Sequence, residues 1–264
     1  MPLLAREPFC FLGVVHLLPL PGAPRAGPGL AAVLQRALAD ATALVEGGAA
    51  GLVVENLGDA PFAKAAVDPH VTAMMAVIAA AIRDRHPAAL LGINVLRNDA
   101  AAALAVAAAA RADFVRVNVL AGAVVADQGV IEGNAHAWLR YRREIGAEQV
   151  AIAADVHVKH ARPLAPRPIA DDTADLVHRA GADVVIVTGR ATGGAADPAD
   201  AEAVRSAAGT APVWVGSGVT LDTAAAWRRR VDGAIVGTAL QREGRLDAPV
   251  AAARVQAMAR ALDD

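Results

Sequence analysis

The sequence predicts an α/β fold, a single (β/α)8 TIM barrel over residues 1–264, and three observations support this prediction. Short β-branched runs alternate eight times with longer alanine-rich segments of helical periodicity, which is typical of a parallel sheet covered by helices. The length of 264 residues fits one barrel of roughly 250 residues better than two small domains. Ionisable side chains follow several of the runs, where a barrel presents its functional groups.

Eight strands are expected in order along the chain, and each is a short run rich in valine, isoleucine or leucine. They span residues 9–15, 51–55, 90–95, 113–118, 150–156, 183–188, 212–216 and 233–237. Helices are expected to begin near Leu30, His70, Asp99, Glu132, Ile169, Pro198, Asp222 and Pro249. Asp99 and Asp222 have the chemistry of helix N-caps, and the Gly47-Gly48 pair supplies the left-handed residue that ends a helix.

One segment after the fourth strand is longer than an ordinary connection. Residues 121–134 are interpreted as a βα loop, with apolar Val124 and Val125 before Asp127 and Val130 after it. A loop of this length serves either as a lid over an active site or as an interface between subunits. A homo-oligomer is the assembly expected in the second case.

Composition and charge exclude several classes of protein. The net charge of -2 comes without a dense basic cluster, so no nucleic-acid partner is expected. The single cysteine, Cys10, has no partner for a disulfide and favours a reducing cytoplasm. The first residues lack the regions of a signal peptide, and the apolar runs 71–82 and 100–110 are shorter than the roughly 18 residues of a membrane span. A cytoplasmic protein without membrane insertion is therefore expected.

Glycine-rich turns distinguish a barrel from a doubly wound open sheet. No Gly-x-Gly-x-x-Gly follows the first strand, as a dinucleotide-binding sheet would require, and glycines cluster instead after the sixth, seventh and eighth strands. Glycine lets backbone amides approach an anion, and barrels often bind phosphate at the last two of these positions. The expected phosphate-binding residues are Gly189, Gly193, Gly216, Ser217, Gly218, Gly237 and Thr238. The alternative is that these glycines only close tight turns.

The densest group of ionisable residues follows the fifth strand, in the run Ala-Asp-Val-His-Val-Lys-His at 154–160. Because alternate residues of a strand share a face, Asp155, His157 and Lys159 are expected to project together into the barrel mouth. His16 and Glu55 end the first two strands and complete the candidate catalytic set. The alternative is an exposed strand end with solvated charges.

Four further polar residues lie near strand ends and are candidates for substrate binding. They are Asn56, Asn94, Arg116 and Asn118. The asparagines could instead satisfy loop backbone, and His16 could cap its own strand. Arg116 lies within an apolar strand, so an inward side chain paired with Glu55 or Asp155 is expected.

Three chemistries could use these residues. Lys159 could lose its proton and form a Schiff base, as in an aldolase-type lyase. A carboxylate and a histidine could instead move a proton in sugar-phosphate isomerisation or epimerisation, with Lys159 stabilising the enediolate. A divalent metal on His16, Glu55, Asp155 and His157 is the weakest alternative, because these residues come from separate strands. No cofactor is assigned.

Six segments together resemble the BtpA/SgcQ family almost from end to end. They are VHLLPLPG at 15–22, VENLGDAPF at 54–62, GINVLRND at 92–99, RVNV at 116–119, DQGVIEG at 127–133 and DVHVKH at 155–160. The resemblance implies a barrel of the ribulose-phosphate-binding type. It also implies a link with photosystem I biogenesis in photosynthetic organisms and with sugar metabolism elsewhere, without a settled reaction.

Two functions are therefore expected as alternatives. The first is an enzyme that binds a phosphorylated small molecule and acts as an isomerase, epimerase or lyase at the barrel mouth. The second is an assembly or regulatory factor that keeps a phosphate-binding barrel without turnover. The polar mouth favours the enzyme, because burying unmatched charges without use is costly.

Overall fold

Eight parallel strands close into a barrel, as the sequence predicts. The computed structural model describes residues 9–27, 29–189 and 194–263. Around the barrel each strand pairs with its neighbours in the order β1-β2-β3-β4-β7-β9-β10-β11, and β11 pairs again with β1. The barrel strands are β1 Cys10–His16, β2 Gly51–Glu55, β3 Leu90–Asn94, β4 Phe114–Val117, β7 Ala151–Val156, β9 Val184–Val187, β10 Val213–Val215 and β11 Gly233–Val236.

Helices cover the outside of the barrel, and most begin within two residues of the expected positions. They are α1 Gly29–Glu46, α2 Pro69–Arg85, α3 Ala100–Ala110, α4 Ala135–Glu144, α5 Ile169–His178, α6 Pro198–Ala207, α7 Ala224–Arg228 and α8 Ala252–Asp263. Asp99 caps α3, with its Oδ1 accepting from the amide of Ala102 at 2.9 Å. The expected cap at Asp222 is wrong, because Thr223 precedes α7. Within the described ranges, no helix combines the length and apolar character needed to cross a membrane.

The lower half of the barrel interior is filled by apolar side chains. Phe114 and Trp214 meet there edge to face, with ring centroids 5.5 Å apart. A Cβ at Gly92 would lie 2.2 Å from Cζ of Phe114, so a glycine is needed on β3 to admit this ring. Because these rings fill the floor, the polar side chains can project only at the carboxyl-terminal mouth.

The segment 121–134 forms a hairpin rather than an irregular loop, which corrects the sequence interpretation. Strands β5 Ala123–Ala126 and β6 Gly129–Glu132 pair antiparallel, and β8 Ala161–Pro163 adds to β5. We call these three strands the cap sheet. Its inner side packs Val124 and Ile131 against Val119 and Val158 beside the barrel mouth. Consequently Glu132 ends a strand, and α4 begins three residues later than expected.

Candidate active site

The largest group of candidate residues meets in one cavity of about 400 Å³, which we call the main cavity. Side chains from the first, second and fourth barrel strands and from the turn after the fifth line one part of it: His16, Glu55, Arg116 and Lys159. The turns after β10 and β11 line the other side and contribute Gly216, Ser217, Gly218, Gly237 and Thr238. Its position at the carboxyl ends of the strands is where barrel enzymes place their active sites.

Arg116 is held by a two-pronged ion pair with Asp155, one of the two partners expected from the sequence. Its Nε and Nη2 lie 3.1 Å from Oδ1 and Oδ2 of Asp155. Both side chains are almost fully buried. Burial opposes the charge of the guanidinium, but Asp155 and Glu55 raise the pKa of Arg116 overall, so the guanidinium stays protonated.

Two of the candidate asparagines extend this ion pair into a network. Nδ2 of Asn118 donates to Oδ2 of Asp155 at 2.8 Å. Nδ2 of Asn94 donates to Oδ1 of Asn118 at 3.2 Å and to the carbonyl of Arg116 at 3.0 Å. These amides therefore hold β3, β4 and β7 in register, and neither asparagine lines the main cavity.

The side chain of Asn56 also hydrogen-bonds to the backbone, and it does not line the main cavity. Its Oδ1 accepts from the amide of Leu96 at 2.8 Å, and its Nδ2 donates to Oδ2 of Asp59 at 3.0 Å. It lines a different cavity, beside α2. Substrate binding by the three asparagines stays a prediction. Asn56 and Asn118 hydrogen-bond through both side-chain atoms within the protein, whereas Oδ1 of Asn94 is buried without a hydrogen-bond partner among the described residues.

The expectation that Asp155, His157 and Lys159 project together into one barrel mouth is wrong. Strand β7 ends at Val156, and His157 has a left-handed φ of 50°, so the alternation of a strand stops there. Its Nε2 lies 2.8 Å from Oδ2 of Asp172 on α5. His157 and Asp155 thus line a second cavity of about 330 Å³ beneath the cap sheet, and Lys159 lines the main cavity.

Glu55 and His16 face each other across the main cavity. Oε1 of Glu55 lies 3.9 Å from Nε2 of His16, too far for a hydrogen bond. Burial alone would raise the pKa of Glu55, but Lys159 and the other nearby cations hold it below its ordinary value. Burial lowers the pKa of His16 to about 4. At neutral pH the site therefore presents a carboxylate next to an uncharged imidazole.

Gln241, which the sequence analysis missed, determines the tautomer of His16. Its Nε2 lies 2.9 Å from Nδ1 of His16 and 3.1 Å from the carbonyl of Leu246. The carbonyl can only accept, so this end of the side chain must be the amide nitrogen. Nδ1 of His16 is consequently an acceptor, and Nε2 carries the proton and faces Glu55.

Lys159 is positioned by its own backbone. Its amide donates to Oγ1 of Thr188 at 3.0 Å, and its carbonyl accepts from Nη2 of Arg97 at 2.6 Å. Burial, helped by the charges of Arg116 and Arg97, lowers the pKa of Lys159 against the opposing pull of Glu55. Within the described part of the chain, no carboxylate lies within 4 Å of its ammonium group, which leaves it available to a ligand.

The glycine turns divide into a structural part and a cavity-lining part. The amide of Gly189 donates to Oγ of Ser217 at 2.6 Å, and that hydroxyl donates to the carbonyl of Gly194 at 3.1 Å. The amide of Gly189 thus has an acceptor within the protein, and the residue does not line the main cavity. Gly193 lies outside the described residues. Gly218, at φ 72°, needs to be glycine because a Cβ there would lie 2.3 Å from Cα of Ala195.

The turn after β11 presents backbone to the same cavity. A short helical turn, Thr238–Leu240, begins directly after Gly237. The first N–H groups of such a turn have no acceptor within it. A Cβ at Gly237 would lie 2.8 Å from Cε1 of His16, so a glycine here also leaves room for the imidazole.

The four residues considered for a metal are not brought together. Asp155 is occupied by Arg116 and Asn118, and His157 points to α5. Among the residues that the structure describes, no group of three or more His, Cys, Asp or Glu side chains has the geometry to hold a metal ion.

Solved structures share this fold at low sequence identity. Phosphoribosyl anthranilate isomerase from Thermus thermophilus matches with a TM-score of 0.57 and 13% identity, over 96% of this chain and 98% of that chain. KGPDC from Streptococcus mutans matches with a TM-score of 0.58 and 14% identity, over 96% of both chains. These likenesses confirm the barrel and show the fold alone.

Sequence relatives are much more similar. Photosystem I biogenesis protein BtpA from Synechocystis sp. is 46% identical over 251 residues, which cover 95% of this chain and 87% of the relative. A protein from Thermococcus kodakarensis is 43% identical over 251 residues, covering 95% and 93%. The model of the BtpA family matches residues 8–264. These matches confirm the resemblance seen in the motifs, and the chain belongs to the BtpA family.

Proposed function

We propose that this protein is an enzyme that binds a phosphorylated small molecule in the main cavity and moves a proton on a carbon next to a carbonyl group. The reaction class is isomerisation or epimerisation. A lyase that passes through the same enediolate intermediate is a variant of this chemistry. The observation that carries the proposal is that one cavity joins the glycine turns after β10 and β11 to Glu55, His16 and Lys159. Solved barrels of this fold include isomerases of a phosphoribosyl compound, which supports the same class.

Each of the three side chains has a defined part in the proposed reaction. The Glu55 carboxylate removes the proton from the carbon, and the electron pair moves to the carbonyl oxygen. The Lys159 ammonium and the Nε2–H group of neutral His16 stabilise that oxygen. In an isomerase Glu55 then returns the proton to the former carbonyl carbon, and the proton of the adjacent hydroxyl group passes to the former carbonyl oxygen, a transfer that Nε2 of His16 can relay. An epimerase instead needs a proton delivered to the other face of the same carbon.

Glu55, rather than Asp155, is the carboxylate that we assign to proton transfer. Asp155 accepts three hydrogen bonds from Arg116 and Asn118, and it does not line the main cavity. Glu55 makes no hydrogen bond through its side chain within the described residues, and it faces the cavity. Asp155 then acts by holding Arg116 in place.

Deuterium exchange tests the proposal without knowledge of the product. The protein is incubated in D₂O with a panel of phosphorylated ketoses and aldoses, and the loss of C–H signals is followed by proton NMR. We expect exchange on at least one compound, and we expect Glu55→Gln to slow it by about 10²-fold or more, because general base catalysis is lost. Glu144→Gln, at the exposed end of α4, is the matched control.

Two outcomes would contradict this assignment. Equal exchange by wild type and Glu55→Gln would remove Glu55 from the reaction. A substrate-sized adduct on Lys159 after borohydride reduction would show that the lysine forms a Schiff base instead of acting as an ammonium group.

The second candidate function is an assembly factor without turnover. The name of the 46% identical relative, a photosystem I biogenesis protein, favours it. A barrel of this kind would bind a small molecule only to adjust its affinity for a partner protein. Mass spectrometry of molecules released on denaturation, followed by the exchange assay on any molecule found, distinguishes the two: a tightly bound phosphorylated compound that is never exchanged would favour the assembly factor.

A further inference from the structure

The glycine-lined end of the main cavity contains a cation that comes from outside the barrel strands. Arg254 lies in the first turn of α8 and lines the cavity together with Gly218, Gly237 and Thr238. Its Nε donates to the carbonyl of Ala239 at 2.7 Å. The guanidinium is thereby fixed to the residue that follows Thr238, next to the backbone that faces the cavity.

The remaining donors of Arg254 are available to a ligand. A guanidinium has five N–H groups, and the bond to Ala239 uses the one on Nε. In the described part of the chain, neither Nη1 nor Nη2 has a hydrogen-bond acceptor, and no carboxylate forms an ion pair with Arg254. Asp222 also lines the cavity, but it is exposed and its charge is screened by water.

The position of Arg254 in its helix is unfavourable for the helix itself. It is the third residue of α8, whose first turn carries no acidic residue. The positive end of the helix dipole disfavours a cation there and favours an anion. A bound anion between the guanidinium and the turn would remove this conflict, whereas helix stability alone gives no reason for an arginine.

We infer that Arg254 binds the phosphate group of the ligand through its two terminal nitrogens, opposite the backbone of Gly218 and Thr238. This inference rests on the proposed function and goes further by naming the ligand as a phosphate monoester, whose dianion suits a two-pronged guanidinium. Arg254 thus anchors the phosphate at one end of the cavity, away from the ion pair that occupies Arg116.

Binding of inorganic phosphate tests the inference. Titration calorimetry at constant ionic strength is performed on wild type, Arg254→Met, Arg254→Lys and Arg260→Met, where Arg260 is an exposed residue in the last turn of the same helix. We expect Arg254→Met to weaken phosphate binding by about tenfold or more, the loss that follows removal of a charge-assisted hydrogen bond. Arg254→Lys should retain part of the affinity, and Arg260→Met should leave it unchanged.

The outcomes separate this inference from the proposed function. Because Arg254 is exposed, the unliganded variants should melt as wild type does, so a loss of binding is not a loss of fold. Phosphate binding that is equally strong in wild type and Arg254→Met would overturn the role of Arg254. It would not affect the proposal that phosphate binds at the glycine-lined end of the cavity. Wild type that binds no phosphate would overturn both.

Discussion

At the residue scale, burial decides which polar groups are available for chemistry. Arg116, Asp155 and Asn118 satisfy one another, so Asp155 is not free to react although it belongs to the dense ionisable run at 154–160. Glu55 and Lys159 lie in the same cavity without a mutual hydrogen bond among the described contacts, and each shifts the pKa of the other. Two residues of one run, Asp155 and Lys159, thus differ in whether their charges are already paired.

His16 leads to a prediction about stability against pH. Its pKa is about 4 in the folded protein and roughly 6.5 in the unfolded chain. As pH falls below 6.5 the unfolded chain takes up a proton that folded His16 refuses, so stability is lost between pH 6.5 and 4, by up to about 3 kcal/mol. Chemical denaturation across this range should show a smaller loss for His16→Gln than for wild type.

The burial of His16 is tested by comparing how steeply the free energy of unfolding falls with pH in wild type and in His16→Gln. Protonation of carboxylates such as Glu55 also destabilises the protein in acid. This happens in wild type and in His16→Gln alike, so it cancels in the comparison. Parallel pH profiles for wild type and His16→Gln would mean that His16 titrates normally in the folded protein. His70, at the start of α2 and outside the main cavity, supplies the control variant His70→Gln.

At the element scale, the cap sheet is the feature that extends the barrel. Strands β5 and β6 follow β4 and β8 follows β7, so the sheet ties together two loops of the mouth. Its inner valine and isoleucine residues are buried, and Val125 and Val130 on the other side are exposed. A sheet of three- and four-residue strands depends on this small apolar cluster for its stability.

Ile131→Ala should therefore open the cap sheet locally. Ile131 is buried at 3% exposure, and an isoleucine-to-alanine change in a packed site costs roughly 2–5 kcal/mol. We expect hydrogen exchange to speed up together in 123–132 and 161–163, with the barrel strands unchanged. Val130→Ala, at the neighbouring exposed position, should have little effect. Faster exchange in the hairpin alone would mean that β8 does not depend on it.

In the molecule as a whole, the side chains that stabilise the barrel interior and the polar side chains of the candidate site lie at different levels along the barrel axis. The aromatic floor of Phe114 and Trp214 closes the lower half, and the ion pair of Arg116 marks the level at which polar side chains begin. A layer of buried apolar side chains thus lies beneath the charged groups of the mouth. The proposed ligand would enter from the mouth alone.

Gly92→Ala tests the packing of this floor. The added methyl group would lie 2.2 Å from Cζ of Phe114, and overpacking of a core costs about 1–3 kcal/mol. We expect a lower midpoint of denaturant unfolding with an unchanged slope. Gly27→Ala, where a Cβ would meet no atom within 4 Å, is the control. Equal stability of both variants would show that Phe114 can move aside without cost.

The alternating apolar runs predict the barrel and its strand positions, and the six motifs predict the family. Each strand is buried on both sides, so its apolar run is visible without knowledge of its neighbours. His16, Glu55, Lys159 and the later glycine turns could also be identified, since parallel strands end at one mouth.

Which polar residues stay free depends on contacts between distant parts of the chain. The pairing of Arg116 with Asp155, the turn of His157 towards α5 and the contact of Gln241 with His16 join residues 15 to 225 positions apart. The cap sheet depends on the same kind of distant pairing. No local periodicity records such contacts, because they follow from the closure of the barrel rather than from the preferences of any one segment.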